Sequence, residues 1–310
     1  MRLPFSLIEE KDFDAVGFGL NAVDHLIVVP EYPRFDTKVR FTDCEKAAGG
    51  QTATAMVGLQ RLGCKTAYAG RFGSDEAGRF GLYSLKSDGV NLDYAETMAG
   101  ADNQVAFIII DAQSGERTVI WDRDERLSYG PDEPPLELAS RGRVLHLDAH
   151  DPPACAAMAR AARNAGTIVS ADIDNIYEGL PDLLPQIDVL ISSSEFPYRL
   201  TGITDMRASL IEIKAQYGCA IVGATLGAGG AIVLSQGEFI ESPAFEVPGG
   251  CRDTTGAGDA FHAGFIYGML CDSDLELCMK SGNAVAALKC RSLGGRTALP
   301  TAYELKAFLK

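Results

Sequence analysis

The chain has 310 residues, 46% hydrophobic and 23% charged, a globular composition with ample length for a large core. Its formal net charge of −14 argues against nucleic acid or an anionic membrane surface as a partner, since neither attracts an acidic protein. A phosphate site built from local backbone N–H groups is not excluded by that charge.

Residues 15–20 and 26–29 read as short strands interrupted at Asn21-Ala22-Val23-Asp24. Residues 38–41 alternate like an exposed strand. Gly49-Gly50 precedes a helical pattern carried by Ala53, Met56, Val57 and Leu62 and stopped at Gly63. Residues 66–70 read as a strand and 75–88 as a helix that Asp75 caps and Gly89 ends. Residues 104–110 and 117–121 read as a hairpin about the turn Gln113-Ser114-Gly115-Glu116.

Beyond Pro135, strands at 144–148, 167–172, 189–192, 220–225 and 231–234 alternate with helices at 153–165, 195–200, 207–217, 257–270, 273–291 and 302–309. This predicts an α/β fold: a mostly parallel central sheet with helices on both faces. Such sheets bind ligands at the carboxyl ends of their strands. Segments 30–46 and 101–122 fall outside the alternation and read as extra β-structure standing off that sheet, within a single domain over 1–310.

Eight cysteines form no C-x-x-C pair, so reduced thiols in a cytoplasm are expected. Residues 1–14 lack the apolar run of a signal peptide, and no run of about 18 apolar residues indicates a membrane span.

The stretch that carries chemistry is Asp253-Thr254-Thr255-Gly256-Ala257-Gly258-Asp259-Ala260-Phe261-His262-Ala263-Gly264-Phe265. Small residues let a backbone turn approach a ligand, and the helix that follows aims unpaired N–H groups and the positive end of its dipole at one spot. That spot suits a phosphate, and Asp259 beside it suits proton abstraction from a hydroxyl. The plainer reading is a helix start with an ordinary first-turn aspartate. No G-x-x-x-x-G-K-[ST] phosphate loop occurs. His146-Leu147-Asp148-Ala149-His150-Asp151 has the look of a metal cluster at a strand end, against the simpler reading of a hydrogen-bonded strand terminus.

Residues 253–265 resemble the C-terminal signature of the ribokinase-like (PfkB) family of sugar and nucleoside kinases. The resemblance implies ATP-dependent phosphorylation of a sugar hydroxyl, with Asp259 as general base and the N–H groups of Gly256, Ala257 and Gly258 holding the transferring phosphoryl charge. An aspartate of ordinary pKa, about 3.9, suffices there if the proton leaves late. Other stretches extend the likeness. Asp24 matches a sugar-binding position. Gly49-Gly50, with Gln51 and Thr54, resembles G-G-x-x-A-N-x-A, Thr54 replacing the usual Asn. Residues 70–78 resemble G-x-x-G-x-D-x-x-G, and Asp172 and Asp174 stand where D-x-N lies near substrate. Ser192-Ser193-Ser194-Glu195 resembles N-x-x-E, implying Glu195 as an organiser of Mg²⁺ through water.

Thr225-Leu226-Gly227-Ala228-Gly229-Gly230 resembles the T-L-G-x-x-G nucleotide loop, implying nucleotide contacts from Thr225, Gly227 and Gly230. Asn283 lies on the helix that flanks adenine. Asp253, Thr255, Lys289, Ser292 and Gly294 match the positions where ribokinase-type members hold a monovalent cation such as K⁺. The run from Ala286 to Arg296 is similar to ketose-kinase-type members. The extra β-structure would be a lid, and its exposed edges invite homodimerisation. An adenosine-type nucleoside kinase, a non-catalytic sugar-binding protein and a hydrolase with metal on His146 and His150 are the competing readings. Arg123, after the hairpin, is a candidate contact for an acidic substrate, against the reading of a solvated arginine.

Overall fold

Nearly continuous apolar runs, such as residues 15–18 and 144–147, are the pattern of strands buried on both faces. They form the centre of an eight-stranded sheet in the computed structural model, which describes residues 1–310. In chain order the strands are β1 (Phe13–Phe18), β2 (Ala22–Val29), β3 (Asp43–Gly49), β4 (Thr66–Ala69), β5 (Arg71–Gly73), β6 (Glu96–Met98), β7 (Val105–Asp111), β8 (Arg117–Asp122), β9 (Gly142–Leu147), β10 (Ile168–Ala171), β11 (Val189–Ser193), β12 (Ile221–Thr225), β13 (Ala231–Ser235) and β14 (Glu238–Ser242). The helices are α1 (Gln51–Arg61), α2 (Glu76–Ser87), α3 (Leu136–Ala139), α4 (Pro152–Asn164), α5 (Leu180–Leu183), α6 (Phe196–Thr201), α7 (Met206–Tyr217), α8 (Ala257–Leu270), α9 (Leu275–Lys289) and α10 (Ala302–Phe308).

The main sheet runs β14-β13-β12-β11-β10-β9-β1-β4. All pairs from β4 to β12 are parallel, and β13 and β14 close the edge antiparallel. Successive residues point to opposite faces, so Val16, Phe18, Leu145 and Leu147 meet α3 to α7, whereas Ala15, Val144 and Ile191 meet α1, α2 and α8 to α10. Helix α8 is apolar nearly all round because it is buried between α1 and α9. Gly264 permits this closeness: a Cβ there would lie 2.5 Å from the Ser281 carbonyl oxygen.

A second sheet, β3-β2-β7-β8, stands over the carboxyl ends of β1, β9 and β10. It has its own small core of Leu26, Val28, Ala47, Ala106, Ile108 and Ile110, closed below by Leu293. It takes in residues 22–49 and 105–122, so the first of the two segments read as extra β-structure is longer than 30–46. Two local readings are corrected. Residues 38–41 are irregular, and the strand begins at Asp43. Asn21-Ala22-Val23-Asp24 does not break a strand; β2 runs through Asp24, which pairs with Ala47 on one side and Ala106 on the other. Two-sided ladder bonding outweighs the turn preference of a lone aspartate. Residues 225–231 form a hairpin turn between antiparallel strands.

Candidate active site

Between the second sheet and the main one lies a cavity of about 1040 Å³. The head of α8 forms its floor. Gly256 caps that helix with φ of 75°, and a Cβ on it would lie 2.7 Å from Gly295 Cα, so both the left-handed backbone and the close approach call for glycine. The N–H groups of Gly256, Gly258 and Asp259 bond no acceptor in the chain. The N–H of Ala257 differs from expectation: it donates to the Thr254 carbonyl at 3.1 Å and closes the turn. Of the three expected donors, Gly256 and Gly258 thus keep free N–H groups, joined by that of Asp259, while the third is used to shape the loop.

Asp259 lines this cavity, and its carboxylate accepts no hydrogen bond from the chain. Burial first, then the charges of Asp172, Asp24 and Asp174, push its carboxyl well above the usual carboxylate range, with Arg117 opposing. An aspartate of ordinary pKa, expected from sequence, is thus replaced by one tuned upward, as a general base needs.

Asp24 is buried and lines the cavity, and its carboxylate also lacks a partner. Burial raises its pKa to about 6, with Asp253 adding to the rise and Arg296, Arg117 and Lys289 opposing it. Its carboxylate lies against Gly49, where a Cβ would be 2.1 Å from Asp24 Oδ2. Gly50, Gln51 and Thr54 line the same end. Arg296 ties two of these residues together, since its Nε donates to the Thr54 hydroxyl at 3.3 Å while another guanidinium nitrogen donates to the Gly49 carbonyl. Asp172 also lines the cavity. Burial disfavours its charge, but His262, with Nε2 at 3.4 Å, and Gln51 hold its pKa below the usual range. Asp174 is raised to about 6 by burial and by Asp172.

On the opposite side, Thr225, Gly227 and Gly230 line the cavity beside residues 244–247. Gly230 has φ of 92° and sits tight on the Ser242 carbonyl. Asn283 donates to the Ser242 carbonyl (2.9 Å), the Ser242 hydroxyl (3.0 Å) and the Pro243 carbonyl (3.1 Å). It therefore shapes this wall by tying α9 to the end of β14.

Glu195 stands exposed before α6 and does not line the cavity, a position from which the expected contact with Mg²⁺ would run through water. Within the set matched to a monovalent cation, Asp253 already has partners in the chain. Both Asp253 carboxylate oxygens accept backbone N–H groups, from Thr255 at 2.7 Å and Gly294 at 2.8 Å, and the Lys289 ammonium donates to the Asp253 carbonyl at 2.8 Å. Ser292 only closes a long turn on the Lys289 carbonyl at 3.5 Å. His146, Asp148 and His150 do not converge on a metal. His146 is buried against the ring of His262, 5.0 Å away, and burial lowers its pKa to about 3. Asp148 accepts from Leu20 N (2.5 Å), Thr52 Oγ (2.9 Å) and His150 N (3.2 Å). His150 lies beyond β9, after Ala149 at φ of 59°. Arg123 is neither solvated nor aimed at substrate: it pairs with Asp151 at 3.1 Å and donates to the Leu127 carbonyl.

Sequence reasoning missed Arg117, His262 and Arg296. Arg117, on the inner face of β8, donates to Thr254 Oγ at 3.0 Å. Thr254 donates its N–H and hydroxyl to the Gly115 carbonyl at the hairpin tip, so the second sheet rests on the anion turn. Trp121, His150 and Tyr177 also meet at the cavity rim. Arg296 followed a visible Gly-Gly pair, but nothing in the sequence showed that it turns inward.

A mostly parallel sheet, a β-lid and an anion turn at the head of a buried helix are the architecture of ribokinase-like kinases. The model for the pfkB family carbohydrate kinase matches residues 14–302, and the chain belongs to that family. It is 29% identical to an ATP-dependent ribose-1-phosphate kinase of Halopiger xanaduensis, over 92% of this chain and 94% of that one. It is 25% identical to a nucleoside kinase of Methanothermobacter thermautotrophicus, over 95% and 94% of the two chains. The structure of Arabidopsis thaliana ribokinase complexed with ribose and ATP superposes with a TM-score of 0.80 at 23% identity, covering 96% of this chain and 99% of that one. No helix is long and apolar enough to cross a membrane.

Proposed function

We propose that the chain transfers the γ-phosphoryl group of ATP to a sugar hydroxyl. The carrying observation is the unpartnered carboxylate of Asp259, raised in pKa, beside free N–H groups at the head of α8. The acceptor lies on Asp24, Gly49, Gly50, Gln51, Thr54 and Asp172. Its hydroxyl oxygen attacks the γ-phosphorus as its proton passes to Asp259, the bond to the β-phosphate oxygen breaks, and ADP leaves. The N–H groups of Gly256, Gly258 and Asp259 hold the charge that develops on the transferring group. The nucleotide lies along Thr225, Gly227, Gly230 and the wall that Asn283 braces. Mg²⁺ would enter with the ATP phosphates and offset their charge, and Glu195 would hold it through water. The β-lid keeps water from the reaction.

Asp259→Asn should lower turnover by roughly 10²- to 10⁴-fold and leave ATP affinity, measured by calorimetry, nearly unchanged. Wild-type turnover in that variant would sink the mechanism. A nucleoside acceptor is the second reading, favoured by the ring cluster of Trp121, His150 and Tyr177 at the rim. Comparing kcat/KM for adenosine with D-ribose and D-fructose separates the two. The outer face of the lid, with Phe107 48% and Ile120 57% exposed, is the surface through which two copies would pair.

A further inference from the structure

The Asp253 oxygens that a monovalent cation would need are already engaged. Asp253 is fully buried, and its carboxylate accepts from Thr255 and Gly294 N–H. Its carbonyl accepts from Lys289 Nζ at 2.8 Å, and the same ammonium lies 3.7 Å from Asp253 Oδ2. Both side chains have 0% exposure. Thr255 Oγ is the one buried side-chain oxygen of the set without a partner. A second cation here would sit within a few ångströms of a buried ammonium, where like charges repel strongly.

The ammonium arrives with its backbone already fixed. Lys289 is the last residue of α9, a helix packed along α8. The next residue, Cys290, accepts the N–H groups of Arg252 and Asp253 on its carbonyl. The α9 terminus therefore grips the Asp253 loop twice, once through this carbonyl and once through the Lys289 side chain. Three residues after Asp253, Gly256 begins the anion turn.

We propose that the Lys289 ammonium is a built-in monovalent cation, which braces the loop leading into the anion turn and makes this kinase indifferent to K⁺. Lys289 is a positioning residue: it acts on the reaction through Asp253 and the Gly256 turn. The proposal rests on the reading of that turn as the site of phosphoryl transfer.

The test compares wild type with Lys289→Ala and Lys289→Met in potassium chloride, ammonium chloride or choline chloride at equal ionic strength. The first readout needs no acceptor: the thermal unfolding midpoint of the full chain with ATP bound. Wild type should give the same midpoint in all three salts, within about 1 °C. The variants should unfold earlier in choline and recover in potassium or ammonium, because a free cation can then enter the vacated position. The second readout is ATP-dependent phosphorylation of D-ribose, D-fructose or adenosine. Wild type should run at equal rates in the three salts, and the variants should show roughly tenfold or greater activation by potassium over choline. A merely structural lysine would give variants that no small cation rescues. Wild type stabilised or activated by potassium over choline overturns the proposal, as do variants that respond to potassium no more than wild type. If neither variant folds, the salt response of wild type alone decides. If wild type phosphorylates none of the three acceptors, the proposed activity fails on those substrates, while the unfolding measurement still decides the role of Lys289.

Discussion

Two carboxylates of the site, Asp24 and Asp259, are held in conflict with their surroundings. Each is raised in pKa mainly by burial, and the proposed transfer needs each as a carboxylate, one to accept hydroxyl groups and one to accept a proton. Activity should therefore rise with pH as these groups ionise. For Asp24 this gives kcat/KM for the acceptor an acid limb near pH 6, and Asp24→Asn should lose that limb along with much of the affinity. The stability effect has the opposite sign. A carboxyl whose folded pKa exceeds its unfolded value stabilises the fold when protonated, and that contribution is lost as pH rises through about 6. Ligand-free Asp24→Asn should thus be more stable than wild type at pH 7, on the order of 1–3 kcal/mol, with the gap closing toward pH 4. Equal unfolding midpoints at pH 7 would show that Asp24 carries no such cost. A binding residue that burdens the empty protein is an expected trade between stability and function.

At the scale of elements, the site depends on how closely α8 packs against its neighbours. Gly264 faces the backbone of α9, with the Ser281 carbonyl where a Cβ would go. Gly264→Ala must push the two helices apart and so move the anion turn at the head of α8. Overpacking of this kind costs about 1–3 kcal/mol. The variant should lower both the unfolding midpoint and kcat, and the loss of kcat should exceed any change in ATP affinity. An unaltered kcat would mean that the turn is positioned by Asp253 and Lys289 alone.

For the whole molecule, the second sheet has one face on the cavity and one in solvent. Its inner face packs on Leu293 and roofs the cavity through Arg117, Val119 and Trp121, while its outer face leaves Phe107, stacked on His25, and Ile120 in solvent. Exposed apolar rows on a small sheet are rarely left bare. Ile120→Lys should convert a dimer to a monomer in sedimentation velocity, with the fold retained. A wild-type chain already monomeric at tens of micromolar would remove the basis for lid pairing.

Much of this was legible in the sequence because it is local. A helix start shows as small residues before an apolar period, and buried parallel strands show as apolar runs, so the central sheet, the anion turn and Asp259 could all be read from short stretches. The family likeness of residues 253–265 added the chemistry. What the sequence could not show was long-range. Asp24 looked like a turn residue because nothing nearby reveals the two strands, β3 and β7, that flank it from 20 and more positions away. Arg123 looked free because its setting, an ion pair with Asp151, depends on distant chain. Arg296 and Lys289 are charged residues whose burial only tertiary packing could reveal. Composition and periodicity decide which surfaces are apolar. Only the folded chain decides which charges are buried and which of them meet, as Asp172 meets His262 and Asp253 meets Lys289.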